Sequence, residues 1–191
     1  MGAREVLDIG HPILRQKARD VGADELSSPA IQSLIDDLIA TMRAKNGAGL
    51  AANQIGELVR ICVIEVKDNP RYPYKPNIPL TVLVNPIITP LAAETFASYE
   101  GCLSVPNLRG VVNRHVAVRV TALDRFGEAI DLSVRGLSAG TYQHEVDHLD
   151  GVLFVDRVVD TRTLCTWQTF DRYFRDDFVR EAEALVAREG S

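Results

Sequence analysis

Gln143-His144-Glu145-Val146-Asp147-His148-Leu149-Asp150-Gly151 contains a His-Glu-x-x-His motif. On a helix, residues four apart share a face, so His144 and His148 can reach one metal ion while Glu145 stands beside it. That arrangement suits metal-assisted hydrolysis. A bound metal lowers the pKa of water and polarises a carbonyl, and a nearby carboxylate takes the proton and delivers it to the leaving amine. The motif fixes only two His and one Glu, so a chance match on a surface helix is the competing explanation and the flanking sequence must decide. The helix is expected from about residue 137 to 149, with Gly151 stopping it and residues 152–155 forming a short apolar segment.

Upstream of this helix the pattern is mostly strand. Residues 59–66 and 80–86 are rich in β-branched side chains, and residues 94–99 lead into Glu100-Gly101-Cys102-Leu103-Ser104-Val105-Pro106. Residues 111–123 alternate as one long strand, Asp124-Arg125-Phe126-Gly127 makes a turn, and residues 129–134 return. Before the strands, residues 1–26 form an irregular arm expected to wrap the domain. Ser27-Ser28-Pro29 then starts a helix, with Ile31, Leu34, Ile35, Leu38, Ile39 and Met42 on its core face and an end near Asn46-Gly47. Downstream, Trp167, Phe170, Phe174, Phe178, Ala182, Leu185 and Val186 recur at helical spacing and predict one long amphipathic helix packed on the core. Together these give one α+β domain over residues 1–191: antiparallel β-sheets packed around a central HExxH helix, with a C-terminal helical tail over about 161–191.

At 191 residues the chain is long enough to bury a full core, and its 46% apolar and 25% charged residues are those of an ordinary globule. A net charge of −5 provides no broad basic field, so no nucleic-acid specificity and no membrane partner are expected. The first residues carry Glu5 and Asp8 and lack a long apolar stretch, which argues against a signal peptide. Three widely spaced cysteines, Cys62, Cys102 and Cys165, suit a reducing compartment, and the cytoplasm is the expected location. Cys62 and Cys165 read as packing residues. Pro70, Pro73, Pro76 and Pro79 recur every third position, which favours a stiff surface loop over a polyproline ligand. Gly47-Ala48-Gly49-Leu50-Ala51-Ala52-Asn53-Gln54 lacks the Lys-Ser/Thr pair of a phosphate loop; its small residues let a backbone pass close to something else.

A hydrolytic metal site takes three protein ligands and keeps one open position. Only His11 and His115 remain beyond the motif, and Phe154 stands where a metzincin would place its third His. A thermolysin-like Glu would have to come from Glu181, Glu183 or Glu189, which lie on a solvated helix. Cys102 is the stronger candidate, because a thiolate at the end of a strand beside Gly101 is a strong ligand for a divalent transition metal.

Three stretches, Gly47 to Gln54, Glu100-Gly101-Cys102-Leu103-Ser104 and Gln143 to Gly151, resemble the three signature motifs of the peptide deformylases, in order, within a layout similar over roughly residues 4–160. The resemblance implies that Cys102, His144 and His148 hold one divalent metal ion and that Glu145 is the general acid and base. Gln54, through its amide, and the backbone N–H of Leu103 would line the oxyanion site. The substrate would be a nascent polypeptide beginning with N-formylmethionine, cleaved to formate and a free α-amine, its backbone extended beside Ala48, Gly49 and Gly101. Leu50, Ser98, Leu137, Gly140, Thr141 and His144 would wall the methionine pocket, with Arg109 at its mouth. Arg114 would orient Glu100 or Gln143, and Asp147 would accept an imidazole N–H. Ferrous iron is the expected metal in vivo, with zinc, nickel or cobalt as occupants in preparations. Two features depart from the family: the Pro-rich loop 69–79 is longer than in the shortest members and is placed to affect access to the site, and the tail after Asp160 is of a variable kind. In some members the tail docks on the ribosome, so a transient ribosome contact is a candidate partnership that the mixed charge here weakens. The rivals are an HExxH metallopeptidase with another third ligand, and a non-enzymatic domain whose metal is closed by a fourth.

Overall fold

The structure is a computed structural model and describes residues 2–69 and 71–191; Pro70 of the Pro-rich loop lies outside them. The arm at residues 2–22 is held by its backbone: Leu7 N–H donates to the Gln54 carbonyl, Ile9 N–H to that of Ser104 and Ala18 N–H to that of Leu149. A short helix, α1 (Ala23–Leu26), precedes α2 (Pro29–Ala44). Ser28 caps α2 by accepting from Ile31 N–H, and Pro29 fills the first turn, where a missing N–H has no consequence.

Seven strands follow: β1 (Gly49–Ala51), β2 (Ile61–Val66), β3 (Ile78–Pro90), β4 (Thr95–Cys102), β5 (Val105–His115), β6 (Ala117–Leu123) and β7 (Ala129–Arg135). They form a five-stranded antiparallel sheet in the order β1-β2-β3-β6-β7 and a separate β4-β5 hairpin. Strand alternation divides the core. Leu50, Ile61, Val63, Val82 and Val84 face α2, whereas Ala51, Cys62, Ile64, Leu83, Val118 and Val120 face the other way, onto α3 (Gly136–Leu149). Both faces of β2 are therefore covered, which is why its sequence is an apolar run rather than an alternation.

The α3 helix lies between the sheet and the β4-β5 hairpin, and every residue in it except His144 is buried. Beyond α3 the chain makes a short 3-10 turn at Phe154–Arg157 and ends in α4 (Trp167–Tyr173) and α5 (Arg175–Glu189). No described helix is long and apolar enough to cross a membrane.

Two expectations are corrected. Residues 111–123 are not one strand: the chain leaves the hairpin at His115 and joins the large sheet at Ala117. The switch is at Val116, whose N–H donates to Glu94 while its carbonyl accepts from Gly136 N–H. Periodicity carries straight through such a corner, so alternation alone cannot reveal it. The long tail helix is likewise two helices broken at Phe174, and Cys165 lies before them, exchanging backbone hydrogen bonds with Arg109.

Candidate metal centre and active site

Cys102 ends β4 next to an irregularity in the hairpin register, where Gly101 pairs with Arg109 but Cys102 pairs with Val105. Such a bulge re-aims a side chain, and here it turns the thiol toward α3. Cys102 Sγ lies 3.2 Å from His148 Nε2, and among the described residues the ligand atoms of Cys102, His144 and His148 form a group lying within 4.8 Å of one another. His144 Nδ1 is bonded to Glu100 Oε2 at 2.8 Å, which fixes the ring and leaves Nε2 for a metal. A cysteine sulfur and two imidazoles converging from a buried strand end and a buried helix suit a divalent transition metal, with three protein ligands leaving a position open. The fourth-ligand candidates are elsewhere: His11 caps its own turn by accepting from Ile13 N–H, and His115 Nδ1 contacts the Ala92 carbonyl.

Glu145 is 5% exposed, and its Oε2 has no partner among the described residues. Burial pushes its carboxyl up to about 7, against the opposing effect of His144 and Lys75, which poises it for proton transfer near neutrality. The carboxylate rests on Gly49, where a Cβ would come within 2.4 Å of it. Gly49 is thus required for close approach between β1 and α3.

Gln54 sits on a 3-10 turn, Ala52–Ile55, that follows β1. Its Oε1 accepts from Ala51 N–H at 2.9 Å, which orients the amide nitrogen toward Ser104 Oγ at 3.0 Å and Cys102 Sγ at 3.4 Å. Leu103 lines the same cavity.

Arg114 is almost wholly buried and grips Glu100 with two hydrogen bonds, Nε to Oε1 at 2.7 Å and a terminal nitrogen to Oε2 at 2.8 Å. Burial pushes the Glu100 carboxyl up, but Arg114 more than reverses this and holds it well below the usual carboxylate range. Asp147 does not accept from an imidazole as expected; it bridges Arg114 and Arg157, and Glu100 takes the role at His144.

The cavity brings together Ala48, Gly49, Gln54, Ser98, Gly101, Cys102, Leu103, Arg109, Leu137, Gly140, Thr141, His144 and Glu145. Leu50 is not among them. It is wholly buried on the α2 face because strand alternation turns it away from its neighbours Gly49 and Ala51. Arg109 borders the cavity but is 2% exposed, with its guanidinium 3.9 Å from the Phe170 ring centre and 4.5 Å from that of Trp167. The cavity walls that sequence reasoning missed are Tyr72, Tyr74 and Lys75 from the Pro-rich loop, Phe96 and Tyr99 from β4, and Phe178 from α5. The loop's excess length was the signal for the first three; Phe178 looked like ordinary core periodicity.

The polypeptide deformylase family model matches residues 3–163. Peptide deformylase 1 of Nitrosomonas europaea is 43% identical over 159 residues, which is 83% of this chain and 89% of that protein. The peptide deformylase of Leptospira biflexa is 44% identical over 163 residues, 85% of this chain and 91% of its own. Among solved structures, a class I type b peptide deformylase from Acinetobacter baumannii with Met-Ala-Ser bound superposes with a TM-score of 0.78 at 41% identity, covering 82% of this chain and 98% of that one. The family match stops before α4 and α5.

Proposed function

The chain belongs to the polypeptide deformylase family, and we propose, on that premise, that Cys102, His144 and His148 hold its metal and that Glu145 is its general acid and base. It is a metal-dependent hydrolase that removes the formyl group from N-terminal N-formylmethionine and releases formate. The observation that carries the site assignment is the convergence of one sulfur and two imidazole nitrogens within 4.8 Å, beside a buried carboxylate with an unpartnered oxygen.

A metal held there supplies Lewis acidity and a more acidic water. The chain's own residues do the rest. Glu145 Oε2 accepts a proton from water as the water oxygen bonds to the formyl carbon, and returns it to the amine nitrogen as the amide C–N bond breaks and formate leaves. The Gln54 amide, exchanging Ser104 for the formyl oxygen, and the Leu103 N–H stabilise the charge that develops on that oxygen. Glu100, fixed by Arg114, keeps His144 in one tautomer. Ala48, Gly49 and Gly101 give an extended peptide close access to backbone, and Ser98, Leu137, Gly140 and Thr141 receive the methionine side chain. Ferrous iron as the resident metal, transient contact with the ribosome and a cytoplasmic location belong to the same reading, supported by family membership and by a nascent-chain substrate. So does a single catalytic domain with a helical tail.

The test is ligand by ligand. Cys102→Ala, His144→Ala and His148→Ala proteins are each expected to bind less than stoichiometric metal and to release formate from formyl-Met-Ala-Ser at about 1% of the wild-type rate or less, by analogy with the losses that follow removal of a metal's supporting groups. Metal content is measured by emission spectroscopy alongside formate. A Cys102→Ser protein that keeps full metal and cleaves unformylated peptides would replace this assignment with the metallopeptidase rival.

A further inference from the structure

The loop between β2 and β3 sends Lys75 into the deformylase cavity, where its Nζ donates to Thr141 Oγ1 at 2.9 Å. Thr141 lies one helical turn before Glu145, so Lys75 reaches the same face of α3 that presents the catalytic carboxylate.

The cavity lining on the methionine side includes the small residues Ser98, Gly140 and Thr141. The space they leave is filled by the chain's own long side chains. The Phe96 ring lies where a Cβ on Gly140 would meet it at 3.1 Å, and Lys75 occupies the Thr141 side. Lys75 resembles methionine in being an unbranched apolar stem, and it differs in ending in a charge that Thr141 satisfies. The free cavity that remains is about 60 Å³. An apolar cavity of roughly 150 Å³ accepts a single benzene ring, and a formylmethionyl group is larger than benzene.

The loop is held in this position from outside. Tyr74 packs edge-on against Phe178 of α5 at 5.2 Å, Tyr72 lies 6.4 Å from Trp167, and Arg71 stacks over Trp167 at 5.0 Å. These partners lie on α4 and α5, beyond the family-matched region.

We propose that Lys75 is a specificity-determining residue of the deformylation reaction: it stands in the side-chain pocket against Thr141, and a substrate side chain enters only by displacing it. The inference rests on the deformylase reading of the cavity. Its consequence is selective. A formylmethionyl peptide must break the Lys75–Thr141 contact, whereas a formylglycyl peptide, having no side chain, leaves the contact in place.

The experiment compares formyl-Met-Ala-Ser with formyl-Gly-Ala-Ser on metal-loaded wild type, Lys75→Ala and Lys75→Arg proteins. Removing one hydrogen bond to a charged group is expected to lower the KM of the methionyl substrate by about tenfold relative to that of the glycyl substrate in Lys75→Ala. Lys75→Arg, which restores a long cationic side chain, is expected to return the ratio of the two KM values to that of wild type. Calorimetric binding of Met-Ala-Ser and Gly-Ala-Ser to the same proteins reads the pocket without turnover. Equal tightening for both peptides, or none for Met-Ala-Ser, overturns the proposal. Selective tightening for Met-Ala-Ser in a chain that releases no formate would support the pocket assignment while sinking the deformylase reading.

Discussion

Glu145→Gln is expected to lower formate release from formyl-Met-Ala-Ser by about 10² to 10⁴-fold, the range for loss of a positioned general acid and base. Glu145 follows the proposed ligand His144 on α3, rests against Gly49, and leaves Oε2 without a partner among the described residues, in a cavity that also holds Cys102, Gln54 and Leu103. Glutamine fills the same volume and keeps a carbonyl acceptor, but it cannot carry the proton. Because the replaced carboxylate is buried with one oxygen unsatisfied, the amide is not expected to lower stability, and the three ligand side chains are untouched. The check is a rate measurement on protein with full metal content and an unshifted urea midpoint. A variant with wild-type turnover would remove Glu145 from the mechanism.

The largest effect on stability is expected at Arg114. Arg114→Met leaves Glu100 buried without its cation and removes one of the two guanidinium partners of Asp147. Breaking a buried ion pair from one side typically costs about 3–5 kcal/mol, because the abandoned charge stays desolvated. Glu100 also holds His144, so weaker metal binding by about 10 to 100-fold should accompany the loss of stability. Arg119→Ala is the control. Its partner Asp131 and Arg119 itself are each 54% exposed, and a surface pair of that kind contributes less than about 1 kcal/mol. Equal urea midpoints for the two variants would refute the assigned role of the Arg114 network.

Much of the candidate metal centre was legible because its chemistry demands particular residue types at fixed spacing. His144, Glu145 and His148 follow helical geometry, and Cys102 was the strongest third donor once the other His and Glu candidates were weighed. The α2 helix was readable from its cap to its core stripe. What failed did so for identifiable reasons. The corner at Val116 preserves alternation while changing sheets, and Phe174 breaks a helix without disturbing the spacing of its aromatics. Leu50 was misplaced because a motif fixes residues in line, whereas a three-residue strand sends its middle side chain to the opposite face. Asp147 misses the imidazole, which Glu100 holds while keeping the Arg114 partner expected of it, because the choice depends on where Arg114 crosses from β5, a contact between residues 33 positions apart. The covering of the cavity by Tyr74, Lys75 and Phe178 is also a tertiary fact, joining a loop and a tail that no local pattern connects.

The most direct test is formate release from formyl-Met-Ala-Ser by the chain loaded anaerobically with ferrous iron, stripped with a chelator, and loaded again. The expected result is formate from the loaded protein, none from the stripped protein, and recovery on reloading. A fully metallated wild-type chain that releases no formate, or a stripped chain that still releases it, would contradict metal-dependent deformylation at Cys102, His144 and His148.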